Sequence, residues 1–272
     1  MRYKNRQHAG RALARELTGI VQAPSLVAGI SRGSLFVARP IAQALGAPLT
    51  VVHVRKLVSP WAPEVAFGAV DEDGGRVVDR AAVLGLELSE HDIERTIARA
   101  RWELTERPRA TIAPPLTTYL PGSWLVLVDD GMATGLTMMA AINHVRRRAA
   151  DKIVVAVPCA SRDAADAVGA LVECFVCPIV ERSFTSVGIF YDDFVAVGDD
   201  EATRELTRHH SYLIETTASM RRLQPMPPGL GAAGPRPWTA PGASNVRPHR
   251  GPDSMEGHHE HTHSMGSVQG LR

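Results

Sequence analysis

Cysteine is scarce in this sequence: Cys159, Cys174 and Cys177 are the only three in 272 residues. So small and odd a number builds no disulfide framework and fits a reducing cytosol. Net charge is almost absent, at +1, which gives no sign of a general affinity for nucleic acid or acidic membranes. No apolar run approaches the roughly 20 residues that a membrane span needs. The opening MRYKNRQHAGRALAREL has basic residues but no continuous apolar segment behind them, so it does not read as a secretory signal. These absences leave a soluble cytoplasmic protein as the expectation. With 44% hydrophobic residues, the chain can build one sizeable domain with ample core.

Composition shifts near residue 220. Eight of the 19 prolines and five of the 11 histidines lie from Arg221 onward, with almost no apolar periodicity. Such a segment buries too little surface to offset the entropy of ordering it. Residues 215–272 are expected to be a disordered tail. Its HHEHTH run (His258, His259, Glu260, His261, His263) is expected to bind metals only adventitiously.

Residues 1–214 alternate strand-like and helix-like patterns, which predicts an α/β domain. Helices are expected over 8–18, 35–46, 89–107 and 136–150, and strands over 25–30, 49–57, 123–128, 152–158 and 171–176. Ser89 with Asp92 three residues on approximates a capping box, and Pro108 is a stop. AFGAVDEDGGRVVD (66–79) reads as two short strands around an Asp-Gly-Gly turn served by its carboxylates. One more amphipathic helix closes the domain. A mostly parallel central sheet with helices on both faces is the economical arrangement.

Within it, VLVDDGMATGLTM (126–138) carries more than a strand-to-helix connection requires. An ordinary connection needs one turn-former and one cap. Gly131 and Gly135 allow a tight turn and close approach of the backbone to a ligand. The amides of Ala133, Thr134, Gly135, Leu136 and Thr137 would sit at a helix N-terminus, with hydroxyls from Thr134 and Thr137, a cradle suited to a phosphate dianion. Asp129 and Asp130 would repel that phosphate. They make sense as acceptors for vicinal hydroxyls, or as holders of water around Mg²⁺. A phosphorylated sugar offers both.

This string resembles the 5-phosphoribosyl pyrophosphate (PRPP) motif of type I phosphoribosyltransferases. The likeness covers roughly residues 5–210 and extends to a bacterial group of predicted phosphoribosyltransferases, through Arg32-Gly33-Ser34, Arg55-Lys56-Leu57 and PEVAFGAVDEDGG (63–75). It implies a type I phosphoribosyltransferase fold with a small hood and flap. It also implies a reaction in which phosphoribosyl passes from Mg-PRPP to a nitrogenous, purine-like acceptor with release of pyrophosphate. Carried over, Asp129 and Asp130 take the ribose hydroxyls and Mg²⁺, the latter through water, and Ala133 to Thr137 wrap the 5′-phosphate. Ser31-Arg32-Gly33-Ser34, with Arg55 and Lys56, meets the pyrophosphate. Asp129, Asp130 and Lys56 are the implied catalytic residues. Ser34 stands where close relatives have a second Gly, and Leu136 is bulky for a phosphate loop.

Residues 58–80 correspond to the mobile flap, and the acceptor is expected under a hood at 181–196, near a last strand over 184–194. There Phe190 or Tyr191 could stack on a flat base, and Asp192 or Asp193 accept from ring N–H groups. Cys174 and Cys177 are expected to be structural thiols, His53 and His144 packing or surface residues, and Arg146-Arg147-Arg148 a helix-end cluster favoured by the macrodipole. Family members often pair as dimers, so a homodimer is a possible assembly. The alternative function is a PRPP- or nucleotide-sensing regulator that keeps the fold without transfer.

Overall fold

The computed structural model describes residues 2–223 apart from 24, 107–115 and 117–121. The stop expected at Pro108 lies outside the described residues, as does the expected tail from residue 224 on, with its histidine run. The first residues assigned to that tail, 215–223, are instead the last turns of a long helix, Asp199–Leu223.

Five strands form a wholly parallel sheet in the order β2-β1-β6-β7-β9. They are β1 (Ser25–Gly29), β2 (Leu49–Val51), β6 (Trp124–Val128), β7 (Lys152–Ala156) and β9 (Cys174–Val176). Each central strand reads as a continuous apolar run because both its faces are covered. In β6, Val126 and Val128 turn toward one core, while Leu125 and Leu127 turn toward the other. The first core is closed by α1 (Arg6–Leu17), α2 (Ser34–Leu45) and the front of α7 (Asp199–Leu223), through Leu13, Leu17, Ile41 and Leu206. The second is closed by α5 (Leu136–Arg146) and α6 (Arg162–Gly169), through Met138, Ile142 and Val168. Gly46 ends α2 in the left-handed region, as its place after the apolar run predicts. Among the described residues no helix is long and apolar enough to cross a membrane.

The segment read as one strand over 49–57 breaks at Val52 and His53. Its second half is β3 (Val54–Val58), which joins a separate antiparallel sheet in the order β3-β4-β5 with β4 (Ala66–Asp71) and β5 (Arg76–Val78). One face of that sheet packs Leu57, Phe67 and Val70 against Ile93, Ile97 and Leu104 of α4 (Glu90–Thr105). The other packs Ala69 against Leu136 and Ala140 of α5. The capping box at Ser89 and Asp92 is formed in full. A short helix, α3 (Arg80–Gly85), precedes α4 and had no counterpart in the apolar pattern; the Asp79 side chain caps it.

Two further departures lie near the sheet's carboxyl edge. A parallel pair, β8 (Cys159–Ser161) and β10 (Ile179–Glu181), stands apart from the main sheet. The strand expected over 184–194 is instead a 3₁₀ turn at Val187–Phe190 followed by irregular chain. It is held by the N-terminal arm. Tyr3 N–H donates to the Phe190 carbonyl (2.8 Å), and the amides of Asp192 and Asp193 donate to the carbonyls of Tyr3 and Lys4 (2.9 and 3.0 Å).

Candidate functional site

A cavity of about 580 Å³ opens beyond the carboxyl ends of β1 and β6, where ligands enter open parallel sheets. Its floor is the β6–α5 connection. Gly135, at φ 76°, turns the chain through the left-handed region directly into α5. Ala133 and Thr134 are exposed there, and with Gly135 and Thr137 they line the cavity. Leu136 does not. Its side chain packs between Ala69 and Ala140, so only its amide is left to meet a phosphate. The loop is pinned from beneath: Met132 N–H donates to the Cys159 carbonyl and Ser161 N–H to the Met132 carbonyl (both 2.9 Å).

Asp129 and Asp130 line the same cavity, and one oxygen of each is already taken. Asp129 Oδ1 accepts from the Ser31 hydroxyl (2.8 Å) and from the Asp130 amide (2.9 Å). Asp130 Oδ2 accepts from Arg6 Nε at 2.7 Å. Burial, and then the charge of Asp130, pushes the Asp129 carboxyl up to about 7, against the opposing hydrogen bond from Ser31. The remaining oxygens suit ribose hydroxyls or the water shell of a divalent cation. The donor set therefore fits Mg²⁺ held through water rather than gripped directly.

The second loop is closed on itself. Ser34 is buried; its hydroxyl donates to the Ser31 carbonyl (2.6 Å), and its amide donates to the Ser31 hydroxyl (3.1 Å). The amide and hydroxyl of Ser34 are thus committed inside the loop. Gly33 is needed for space: a Cβ there would lie 2.3 Å from Asp130 Oδ2 and 2.8 Å from Arg6 Nε. Arg32 reaches the cavity with its guanidinium 3.5 Å from Asp199, at the start of α7. From the third element, Lys56 is exposed and lines the cavity. Arg55 also lines it but forms an ion pair with Glu103 of α4.

The acceptor side differs from expectation. Phe190 and Tyr191 are buried in an apolar cluster with Tyr3, Cys159 and Ile179, so neither ring face is open to a base. The Tyr191 hydroxyl donates to the Asp130 carbonyl (2.6 Å), and its ring stacks on Phe194. Asp192 is exposed on the outer surface, 3.5 Å from Arg2, and is not among the cavity's lining residues. Val187 and Phe194 line the cavity in their place, as do Ala202, Thr203 and Leu206 of α7. The residues missed from sequence are Arg6, Val187, Phe194 and this face of α7. Arg6 had no local signal, since its partner lies 124 positions away.

Of the 58–80 segment, β4 is largely buried between helices; the longest mostly exposed stretch is residues 60–65, with Trp61 at 56% exposure, and Asp73, Arg76, Asp79 and Arg80 are exposed beyond it. Below it, the turn carboxylates do more than close a hairpin. Asp71 Oδ1 accepts the amides of Asp73 and Gly75 (both 3.0 Å), while Oδ2 accepts from Arg147 (2.6 Å). Asp73 pairs with Arg148. His144, fully buried, places Nδ1 3.5 Å from Asp71 Oδ1 and from Asp73 Oδ2. Asp71, Asp73 and His144 are grouped closely enough to hold an ion. The two arginines already compensate their charge, which makes the cluster a clamp joining the β4–β5 turn to the end of α5. Cys159 and Cys177 are pushed up in pKa chiefly by burial, as inert structural thiols are.

Comparison with known proteins identifies the family. The profile of the family described as "Phosphoribosyl transferase domain" matches residues 2–188. Proteins from two strains of Mycobacterium tuberculosis, provisionally named phosphoribosyl transferases, are each 37% identical over 216 residues, which is 79% of this chain. The chain spans about half the length of these relatives, 49%. A crystal structure of a Thermus thermophilus protein superimposes with a TM-score of 0.58 at 37% identity, covering 76% of this chain and 99% of that one.

Proposed function

Because the chain belongs to the phosphoribosyl transferase domain family, we propose that it binds PRPP with Mg²⁺ in this cavity and transfers phosphoribosyl to a nitrogenous, purine-like acceptor, releasing pyrophosphate. One observation carries the reading: Arg32, Lys56, the Asp129–Asp130 pair, and Ala133, Thr134, Gly135 and Thr137 come from three separate elements and line a single cavity.

In this reading the amides at the start of α5 and the Thr134 and Thr137 hydroxyls hold the 5′-phosphate. The unengaged oxygens of Asp129 and Asp130 accept from the ribose hydroxyls. Arg32 and Lys56 face the pyrophosphate, and Arg32 leaves Asp199 to do so. As the bond from C1 to pyrophosphate breaks, its electron pair leaves with the pyrophosphate, positive charge builds on the sugar, and the acceptor nitrogen closes on C1. The protein's task is to orient these groups and stabilise the departing charge. Mg²⁺, when bound, supplies additional neutralisation of the pyrophosphate, with Asp129 and Asp130 holding its water. The exposed 60–65 loop is the part of the flap able to cover the ligand and exclude water.

Calorimetric titration of the full chain with PRPP, with and without Mg²⁺, tests this. Micromolar Mg-dependent binding that Asp129→Asn/Asp130→Asn abolishes is expected, followed by pyrophosphate release with one of a panel of bases. No binding by the folded wild type would refute it. The burial of Phe190 and Tyr191 favours a second reading, a PRPP- or nucleotide-sensing protein without transfer. PRPP binding without pyrophosphate release for any base would select that reading.

A further inference from the structure

The acidic pair is not an isolated feature of the β6–α5 connection. Arg6, from the first turn of α1, reaches Asp130 with Nε at 2.7 Å, and the two side chains are only 11% and 16% exposed. Its guanidinium lies over the Phe194 ring, 3.8 Å from the centroid, and Nη1 donates to the Val195 carbonyl at 2.8 Å. Phe194 stacks in turn on Tyr191, whose hydroxyl holds the Asp130 carbonyl. The Ser31–Ser34 loop is shaped around this arrangement, since a methyl group on Gly33 would strike both partners.

A structural ion pair could be built almost anywhere on the surface. This one takes an oxygen of a carboxylate that lines the cavity and, through the same planar group, touches the aromatic ring that lines the cavity on the acceptor side. Lysine would supply the charge but neither the flat face nor the fork of donors. We propose that Arg6 is a positioning residue: it fixes the Asp130 carboxylate against the hood, so that alignment of the ribose hydroxyls is coupled to the packing of Phe194 at the acceptor side. This rests on the phosphoribosyl transfer reading above and adds a residue to it. The two adjacent carboxylates repel each other, and a cation on the outer one removes part of the cost of presenting both to an anionic sugar phosphate.

The test is titration of the full chain with Mg-PRPP for wild type, Arg6→Lys, Arg6→Met, Asp130→Asn and the Arg6→Met/Asp130→Asn double variant. Arg6→Met is expected to weaken binding about tenfold or more, because it leaves a partly buried carboxylate uncompensated. Arg6→Lys should recover only part of that loss. In the Asp130→Asn background, Arg6→Met should cost less than about threefold more, since its target is already neutral. Wild-type binding that survives in folded Arg6→Met, or penalties that simply multiply in the double variant, would overturn the coupling while leaving the transferase reading intact. Wild type that does not bind Mg-PRPP brings down both. Should Arg6→Met fail to fold, Phe194→Leu carries the test: weaker Mg-PRPP binding supports the coupling, and unchanged binding overturns it.

Discussion

Replacing Asp129 by Asn should make this protein more stable while removing its ligand. In the folded chain the Asp129 carboxyl is raised from 3.8 to about 7, first by burial and then by the charge of Asp130. For an acid raised on folding, the ionised form is the one the native state disfavours. The cost is absent below the unfolded value near 4, grows as pH rises, and is complete above the folded value. A rise of this size corresponds to about 4 kcal/mol at pH 8. The side chain lines the open cavity and is only partly buried, so screening cuts the usable figure to about 2 kcal/mol. Asn keeps an oxygen for the Ser31 hydroxyl and the Asp130 amide, so the local hydrogen bonds survive.

The expected gain is therefore about 2 kcal/mol at pH 8 and about 1 kcal/mol at pH 5. For a domain of this size that is a rise in Tm of about 4–8 °C at pH 8. Thermal and urea unfolding of wild type and Asp129→Asn at both pH values would measure it. A Tm at pH 8 that is unchanged or lower, or a gain equal at the two pH values, would refute the reasoning. Mg-PRPP binding should disappear in the same variant, since an amide is a poorer acceptor for ribose hydroxyls than a carboxylate. A site that lowers stability for the sake of binding is what a pre-assembled acidic pair predicts.

Three further outcomes follow from the same geometry. Lys56→Met should lower Mg-PRPP affinity by about tenfold or more, or transfer by about 10²–10³, with Tm unmoved because the side chain is exposed; calorimetry and differential scanning separate the two effects. Gly33→Ala should cost affinity more than stability, because its methyl group meets the ends of side chains, Asp130 and Arg6, rather than backbone; restored affinity in the Gly33→Ala/Arg6→Ala double variant would contradict the Arg6 proposal. Phe67→Ala, which empties a fully buried position between β4 and α4, should lower stability by about 3–5 kcal/mol in urea unfolding.

Local chemistry made much of this legible before the fold was in view. The parallel sheet follows from short apolar runs separated by amphipathic helices, and β6, α5 and the capping box at Ser89 sit where the pattern places them. What the pattern did not show was which sheet a strand enters. Thr50, Val51, Val52 and Val54 run across the break with no Gly or Pro to mark it, so residues 49–57 read as one strand although the chain leaves the main sheet at Val52 and His53. Similarly, Phe190 and Tyr191 look like ligand-stacking rings in a polar stretch. They are buried because Tyr3 and the arm around it cover them from the other end of the chain.

The phosphate, ribose and pyrophosphate contacts proposed here fall in contiguous segments because a phosphate cradle needs consecutive amides, and consecutive amides mean consecutive residues. The groups that orient those segments obey no such rule. Arg6 to Asp130, Ser31 to Asp129 and Tyr191 to Asp130 join positions 124, 98 and 61 apart. All three converge on the same pair of carboxylates. A motif therefore reports what a ligand would touch, and the remote contacts decide how firmly it is held. On that basis the N-terminal arm belongs to the site as much as the acidic loop does, and losing residues 2–6 should cost Mg-PRPP affinity even where the parallel sheet remains folded.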